Sequence, residues 1–466
     1  MDGVSFTRQG RCQERDDVLG TTKPPLSLAW IASVLRQDGH DARIIDLTAA
    51  GKTVGELAHF LDEGQFAPTL IIFASCFPTW DADARAMGAL KEKTGAPIIS
   101  FGPHASAAPI DALKRAPVVD GVLVGEPEDG ARALANLQPG ENWSTVGSLC
   151  FRRGDDIVPC RESGRFGGFA SAAGPDWGGT DFDHYRLPLV NAPYALVETS
   201  RGCPYTCDFC VAPLQQGHQF RERPAPAVVD EIERLQHERR LRYFYLWGDT
   251  VTLNQKSIGA IADELIRRRL GIRWIANARA DNVTDPALVS RLRASGCWML
   301  SFGIEASVPE RRDEMQKRLP EPAIASAVAN LRRAGIRSFA FFIFGYPGET
   351  LASMAATTDY ACDLDIDFAG FYPAVPYPGT ELGDRAAAVG WVTDPSDWRQ
   401  LEYSHYAMKC GELTEASVLK AIARARRRFY LRPRYLARHA WELARIAATK
   451  PGITKHVVKQ MLARRD

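Results

Sequence analysis

Cys203, Cys207 and Cys210 lie within the run SRGCPYTCDFC, a C-x3-C-x2-C spacing. Three thiolates in one tight loop can each ligate one iron of a [4Fe–4S] cube and leave the fourth iron without a protein ligand. An open iron can chelate the amino and carboxylate groups of a methionine moiety and pass one electron into its sulfonium. The organic chemistry then belongs to the cofactor, while the protein supplies ligation, orientation and exclusion of water. Two other uses of these residues stay open. A structural zinc site wants four ligands, and His218 is the available fourth. An electron-transfer cluster wants a fourth cysteine; the next in sequence, Cys297, precedes the apolar run WMLSFGI and reads as a core thiol.

The cysteines directly follow the first strand of an alternating series. Its expected strands are residues 195–200, 243–248, 272–278, 298–304, 338–345 and 367–373, with helical patterns between them. Six βα units predict a partial (β/α)6 barrel with its chemistry at the C-terminal ends of the strands. An earlier series, to about residue 140, alternates helical stretches with the apolar runs ARIIDL (42–47), TLIIFAS (69–75), APIISFG (96–102) and VDGVLVGE (119–126). This pattern predicts a doubly wound, Rossmann-like parallel sheet. Ligands of such a sheet sit beyond its strand ends, here Asp46, Ser75-Cys76, Gly102-Pro103-His104 and Gly125-Glu126. Residues 141–192 read as an irregular linker rich in Gly, Pro and Trp, and residues from 393 onward read as helical and basic. The expected organisation of this α/β chain is therefore 1–140, 141–192, 193–392 and 393–466.

At 466 residues the chain is too long for one compact core. Its 45% apolar and 24% charged residues are ordinary for a globular protein. No run of about 18 apolar residues is present, and the start lacks a basic-then-apolar leader. The ten cysteines are scattered apart from the one cluster, which argues for reduced thiols and a cytoplasmic location.

At the cysteines, and beyond them, the chain resembles the radical S-adenosylmethionine (SAM) superfamily. The resemblance implies that Phe209 lies beside adenine and that Gly248 and Asp249, in the Trp247-Gly248-Asp249 run, hold the methionine amino group. It also implies that Arg279 faces the methionine carboxylate, that Glu305 lies near the ribose and that Gly345 passes beside adenine. Local alternatives are an N-cap role for Asp249 and a structural ion pair for Arg279. The N-terminal part is similar to the cobalamin-binding domain that precedes many of these barrels. That likeness implies Ser75, Gly102, His104, Gly125 and Glu126 as cobalamin contacts. Members of this subgroup include the anaerobic magnesium-protoporphyrin ester oxidative cyclase, hopanoid-modifying enzymes and methylases of unreactive carbons. The cofactors so implied are a [4Fe–4S] cluster, SAM and cobalamin. The implied partners are a small-molecule substrate of lipophilic, hopanoid or tetrapyrrole type, and an electron donor such as flavodoxin or ferredoxin. Methyl transfer and oxidative cyclisation are both open.

Two features depart from the subgroup. The Asp-x-His-x-x-Gly motif that supplies a lower cobalt ligand elsewhere is absent, and His40 reads as structural. Only Gly3-Val4-Ser5-Phe6 stands where a longer apolar strand is usual. Near the other end, 13 Lys and Arg face 2 acids from Ala421 onward, with Phe429, Tyr430, Tyr435 and Trp441 interleaved. Such a segment fits either a cap packed on the barrel or a peripheral contact with an anionic membrane face. No nucleic-acid-binding module accompanies the charge, so nucleic acid is not expected as a partner.

Overall fold

The computed structural model describes residues 22–62, 66–138, 140–187 and 189–440, with the backbone of a short hairpin, Thr7–Gln9 and Cys12–Glu14. The expected strand at Gly3–Phe6 and the tail from Trp441 onward lie outside the described residues.

The larger sheet carries six parallel strands in sequential order: β1 (Ala192–Glu198), β2 (Tyr243–Trp247), β3 (Arg273–Ala278), β4 (Cys297–Glu305), β5 (Arg337–Phe344) and β6 (Phe368–Pro373). Arg186–Leu187 adds an antiparallel edge beside β1, and β6 does not pair back to β1, so the barrel is open. Residues buried between two layers form continuous apolar runs, which is why these strands fall within a few residues of their expected places. In β5 the burial alternates. Ala340, Phe342 and Phe344 are buried in the core shared with the helix Glu321–Ala334, while Phe339, Phe341 and Ile343 are half-buried on the other face.

The smaller sheet differs from a full doubly wound sheet. Three parallel strands, Ile71–Ala74, Ile98–Phe101 and Gly121–Leu123, are continued by an antiparallel hairpin, Leu149–Arg153 and Asp156–Val158. Helices cover both faces: Ile99, Phe101 and Leu123 pack toward Leu26–Gln37, whereas Ile98 and Val122 pack toward Trp80–Thr94 and Pro109–Arg115.

Two expectations need correction here. Residues 42–47 form no strand, because Asp46 caps the helix Leu47–Ala50 by accepting from the Ala49 N–H at 3.1 Å, and Ile45 is exposed. The supposed linker contains the 149–158 hairpin and contributes Phe166, Phe169, Trp177, Phe182 and Tyr185 to the main core.

The described part of the basic segment is a cap. Its helix Glu415–Tyr430 lies on β6 and on the helix Leu351–Asp363. Arg428 pairs with Asp359, Arg434 with Asp365, and Arg438 with both Asp365 and Asp367. Arg432 lies over the Phe429 ring at 4.1 Å. No helix among the described residues is long and apolar enough to cross a membrane.

Candidate functional site

The cysteine loop leaves the C-terminal end of β1 and is closed at its neck. Ser200–Arg201 pairs antiparallel with Arg221–Glu222, so residues 202–220 form an excursion with fixed ends. Gly202 makes the first turn at φ +80°, where an added Cβ would strike the Gln219 carbonyl. Cys203 N–H donates to the Gly217 carbonyl at 3.2 Å, and Cys210 N–H to the Cys207 carbonyl at 3.1 Å.

Asp208, between the second and third cysteines, ties the loop to the opposite side of the half-barrel. It is 2% exposed and accepts from Tyr346 Oη at 2.6 Å and from the Arg385 guanidinium at 2.9 Å. Its own N–H donates to the Met315 carbonyl, and its carbonyl accepts from Leu382 N–H. No local pattern singles out Asp208, Tyr346 or Arg385, since Tyr346 and Arg385 lie 138 and 177 residues from Asp208.

The strand ends bring charged groups around the thiols. Asp249 acts electrostatically on Cys203 and Cys210, and Glu305, Arg279 and Lys317 act on Cys207. Burial pushes all three thiols up, Cys210 to about 12. A metal bound to these thiols would take the place of their protons. Lys317 was missed by the sequence reading; it donates to Glu305 at 2.9 Å and sets a positive charge where thiolates would be negative. Glu305 sits at a register shift of β4 with φ +70°, folded back over Gly303.

Arg279 is used structurally. It pairs with Asp281 at 3.0 Å, donates to the Lys317 carbonyl at 2.6 Å and stacks on Tyr205 of the cysteine loop at 4.0 Å. Gly248 is packed against Ser200, whose buried hydroxyl has no hydrogen-bond partner and which an added Cβ would strike. Phe209 is half-buried against the core. At Gly345 the Tyr406 ring packs against the Cα, and Tyr406 Oη donates to the Gly345 carbonyl at 2.8 Å.

A cleft of about 750 Å³, mouth included, opens between the two sheets beside this loop. Its walls include Lys23 to Leu28, Ser75, Cys76, Gly102, Glu198, Gln215 and Trp247. Ser75 and Gly102 lie at strand ends that face this cleft.

His104, Gly125 and Glu126 do not line it. His104 is fully buried in an aromatic box of Phe77, Trp80 and Trp398, with ring centroids 4.3–4.7 Å away, and burial drives its pKa well down. Gly125 is bridged to Gly164. Glu126 accepts from Arg201 at 3.0 Å, from Phe166 N–H at 2.8 Å and from Arg221. Buried Arg201 also pairs with Glu128 at 2.7 Å and Glu198 at 2.9 Å, joining the N-terminal sheet to the start of the cysteine loop.

A single zinc ion needs its ligands to converge on one point. Among the described residues no group of three or more His, Cys, Asp or Glu does so, and His218 hydrogen-bonds the Cys203 carbonyl. A cube takes one thiolate per iron, so its ligands need not converge. Cys297 is fully buried inside β4. Residues 197–361 match the family model of the radical SAM superfamily. The chain is 30% identical over 427 residues to an uncharacterized methyltransferase of Pyrococcus horikoshii, covering 91% of this chain and 92% of that protein. The chain belongs to the radical SAM superfamily. It is a radical SAM enzyme, with the [4Fe–4S] cluster and SAM that define the class. It is also 28% identical over 422 residues to the anaerobic magnesium-protoporphyrin IX monomethyl ester cyclase of Cereibacter sphaeroides, covering 88% of this chain and 67% of that one. Its fold is similar to that of the radical SAM methyltransferase TsrM from Kitasatospora setae, a structure holding cobalamin and a [4Fe–4S] cluster. The TM-score is 0.69 at 19% identity, over 80% of this chain and 77% of that one.

Proposed function

We propose that this radical SAM enzyme methylates an unactivated carbon of a small hydrophobic molecule, using cobalamin. The observation that carries the reading is the cleft between the two sheets, lined by Gln215 and Gln216 from the far side of the cysteine loop, a space suited to a second cofactor next to the cluster. Cys203, Cys207 and Cys210 would hold the cluster, which fits three half-buried thiols in one loop with Lys317 acting on Cys207. Asp249 and the unpartnered Ser200 hydroxyl, both at the mouth of the loop, suit the amino group and other polar atoms of SAM. Glu305 suits the ribose, and Phe209 and the strand end at Gly345 suit adenine. Bound together, these groups supply an electron for carbon–sulfur cleavage, a radical for hydrogen abstraction and a methyl carrier.

For cobalamin the fit rests on the cleft itself. Ser75 and Gly102 give a narrow small-residue wall, and buried Gln215 offers an Oε1 without a hydrogen-bond partner. Among the described residues no histidine lines the cleft. Four units then divide the work: the N-terminal sheet with the hairpin that continues it to Val158, the connector from there to about residue 192, the barrel to 392 and the C-terminal cap.

The substrate reading rests on the half-buried face of β5 and β6. Phe339 and Phe341 lie 4.8 Å apart, Phe341 and Tyr372 6.1 Å, and Tyr372 and Tyr403 4.9 Å, an apolar wall suited to a tetrapyrrole-like or other flat hydrophobic molecule. An external one-electron donor of flavodoxin or ferredoxin type would reduce the cluster.

The test is anaerobic purification from cells supplied with cobalamin, followed by cobalt analysis and incubation with methyl-labelled SAM. Stoichiometric cobalt and label transferred to carbon support the proposal. A cobalt-free protein that still forms 5′-deoxyadenosine assigns the cleft to substrate alone. Ring formation without label transfer favours the cyclase chemistry of the Cereibacter relative.

A further inference from the structure

Outside the proposed site two thiols lie together. Cys150 is on the strand Leu149–Arg153 and Cys160 just beyond the partner strand Asp156–Val158. The Cys160 N–H donates to Cys150 Sγ at 2.9 Å, and each thiol acts on the titration of the other. Cys150 is buried at 1% exposure, whereas Cys160 is half-buried and reachable from solvent. We propose that Cys150 and Cys160 are a redox-active pair that closes reversibly to a disulfide.

The division of labour follows from the surroundings. Cys160 is the sulfur that solvent reaches, and its pairing with Cys150 lowers its pKa to about 7, while the same pairing and burial raise that of Cys150. Cys160 is therefore the attacking sulfur and Cys150 the resolving one. With a low-molecular-weight disulfide as oxidant, Cys160 thiolate attacks one of its sulfurs and expels the first thiolate. Cys150 then loses its proton, displaces the second thiolate from Cys160, and the protein disulfide forms. Two protein thiols are oxidised and one small disulfide is reduced to two thiols.

The position gives the bond a structural consequence. From Cys160 the chain runs as a strap along the N-terminal sheet. Arg161 N–H donates to the Gly147 carbonyl at 2.8 Å, Gly164 N–H to the Val124 carbonyl at 2.7 Å, and Phe166 N–H to Glu126. Glu126 in turn holds Arg201, at the neck of the cysteine loop. A disulfide would pin the free end of that strap to the hairpin.

The test uses anaerobic holoprotein exposed to oxidised glutathione, then acid-quenched, alkylated and digested with trypsin. The expected product is a cross-linked peptide pair, residues 133–152 joined to residues 154–161, which reverts with dithiothreitol. It should be absent from Cys160→Ser. In untreated wild type, Cys160 should be alkylated by iodoacetamide at pH 7 at least tenfold faster than Cys150. Full alkylation of both cysteines after oxidation, or a glutathione adduct that persists on Cys160 without transfer to Cys150, would overturn the proposal. Equal alkylation rates would remove the assigned order of attack.

Discussion

Replacing Arg201 with methionine should destabilise the protein through the carboxylates it leaves behind. Arg201 is 2% exposed and contacts three glutamates, themselves 1–2% exposed, at 2.7–3.0 Å. Their fates differ. Glu126 keeps Arg221 and the Phe166 N–H, and Glu198 keeps an amide from Gln216 at 3.2 Å. Glu128 loses its cationic partner, and its Oε2 already lacks a hydrogen-bond partner. Breaking a buried ion pair from one side costs about 3–5 kcal/mol, because the remaining charge is stranded in a poor dielectric. The packing of Arg201 on Phe169, with its charge 4.6 Å from the ring centroid, is partly retained by the methionine stem. With an unfolding entropy of about 2.1 cal/mol/K per residue, a loss of about 3–5 kcal/mol lowers the melting temperature of a 466-residue chain by about 3–5 °C. Burial already raises the Glu128 carboxyl above its ordinary range, and without Arg201 it would titrate higher still. In the variant the stranded group favours its protonated form. The deficit should therefore be largest near neutral pH and shrink as the pH falls through the raised Glu128 pKa. The assay is a melt of wild type, Arg201→Met, Glu128→Gln and the double variant at several pH values. The double variant should recover about 1–2 kcal/mol of the deficit at pH 7. A deficit below about 1 kcal/mol that does not vary with pH would refute the reasoning.

Two further outcomes follow from the ends of β5. Gly345→Ala should cost about 2–3 kcal/mol, since φ is +77° and the new Cβ would lie 2.6 Å from the Tyr406 ring. In a Tyr406→Ala background the same change should cost only the backbone part, about 1–2 kcal/mol, as read by urea denaturation. Glu349 is 7% exposed, and burial raises its carboxyl to about 7 from an ordinary 4.5. Between those values the folded chain holds a proton that the unfolded chain has released. This contribution to stability is present at low pH, falls by up to about 3 kcal/mol as pH rises through 7, and is level above it. Glu349→Gln should flatten that slope in melts from pH 5 to 8; an unchanged slope would assign it to other groups.

The parts legible in the sequence were those set by local pattern. β1 to β6 are buried apolar runs with helices between them, and the cysteine spacing is compact enough to be read directly. The 149–158 hairpin was also within reach, since LCFRRGDDIV alternates around a Gly-Asp turn, with Gly154 at φ +61°. Residues 42–47 misled because an apolar pair, Ile44-Ile45, looks like a strand until Asp46 is seen capping the next helix and accepting from Tyr185 at 2.8 Å. The misplaced contacts share one cause. His104, Gly125 and Glu126 do stand near strand ends, but Trp398, Gly164 and Arg201 close over them from distant parts of the chain. Periodicity cannot report which strand end stays open; Ser75-Cys76 and Gly102-Pro103 face the cleft. Tyr406 over Gly345 and Arg385 on Asp208 are likewise contacts whose partners have no local signature.

The central claim is that three cysteines hold a [4Fe–4S] cluster with one iron free for SAM. Electron–nuclear double resonance on the reduced, reconstituted protein tests it directly, using SAM labelled with ¹⁵N in its amino group and ¹⁷O in its carboxylate. The account predicts hyperfine coupling from both labels in wild type, and no such cluster signal in Cys203→Ala, Cys207→Ala or Cys210→Ala. A cluster that forms without those cysteines, or one that shows no coupling to either label because its fourth iron already has a protein ligand, would contradict it.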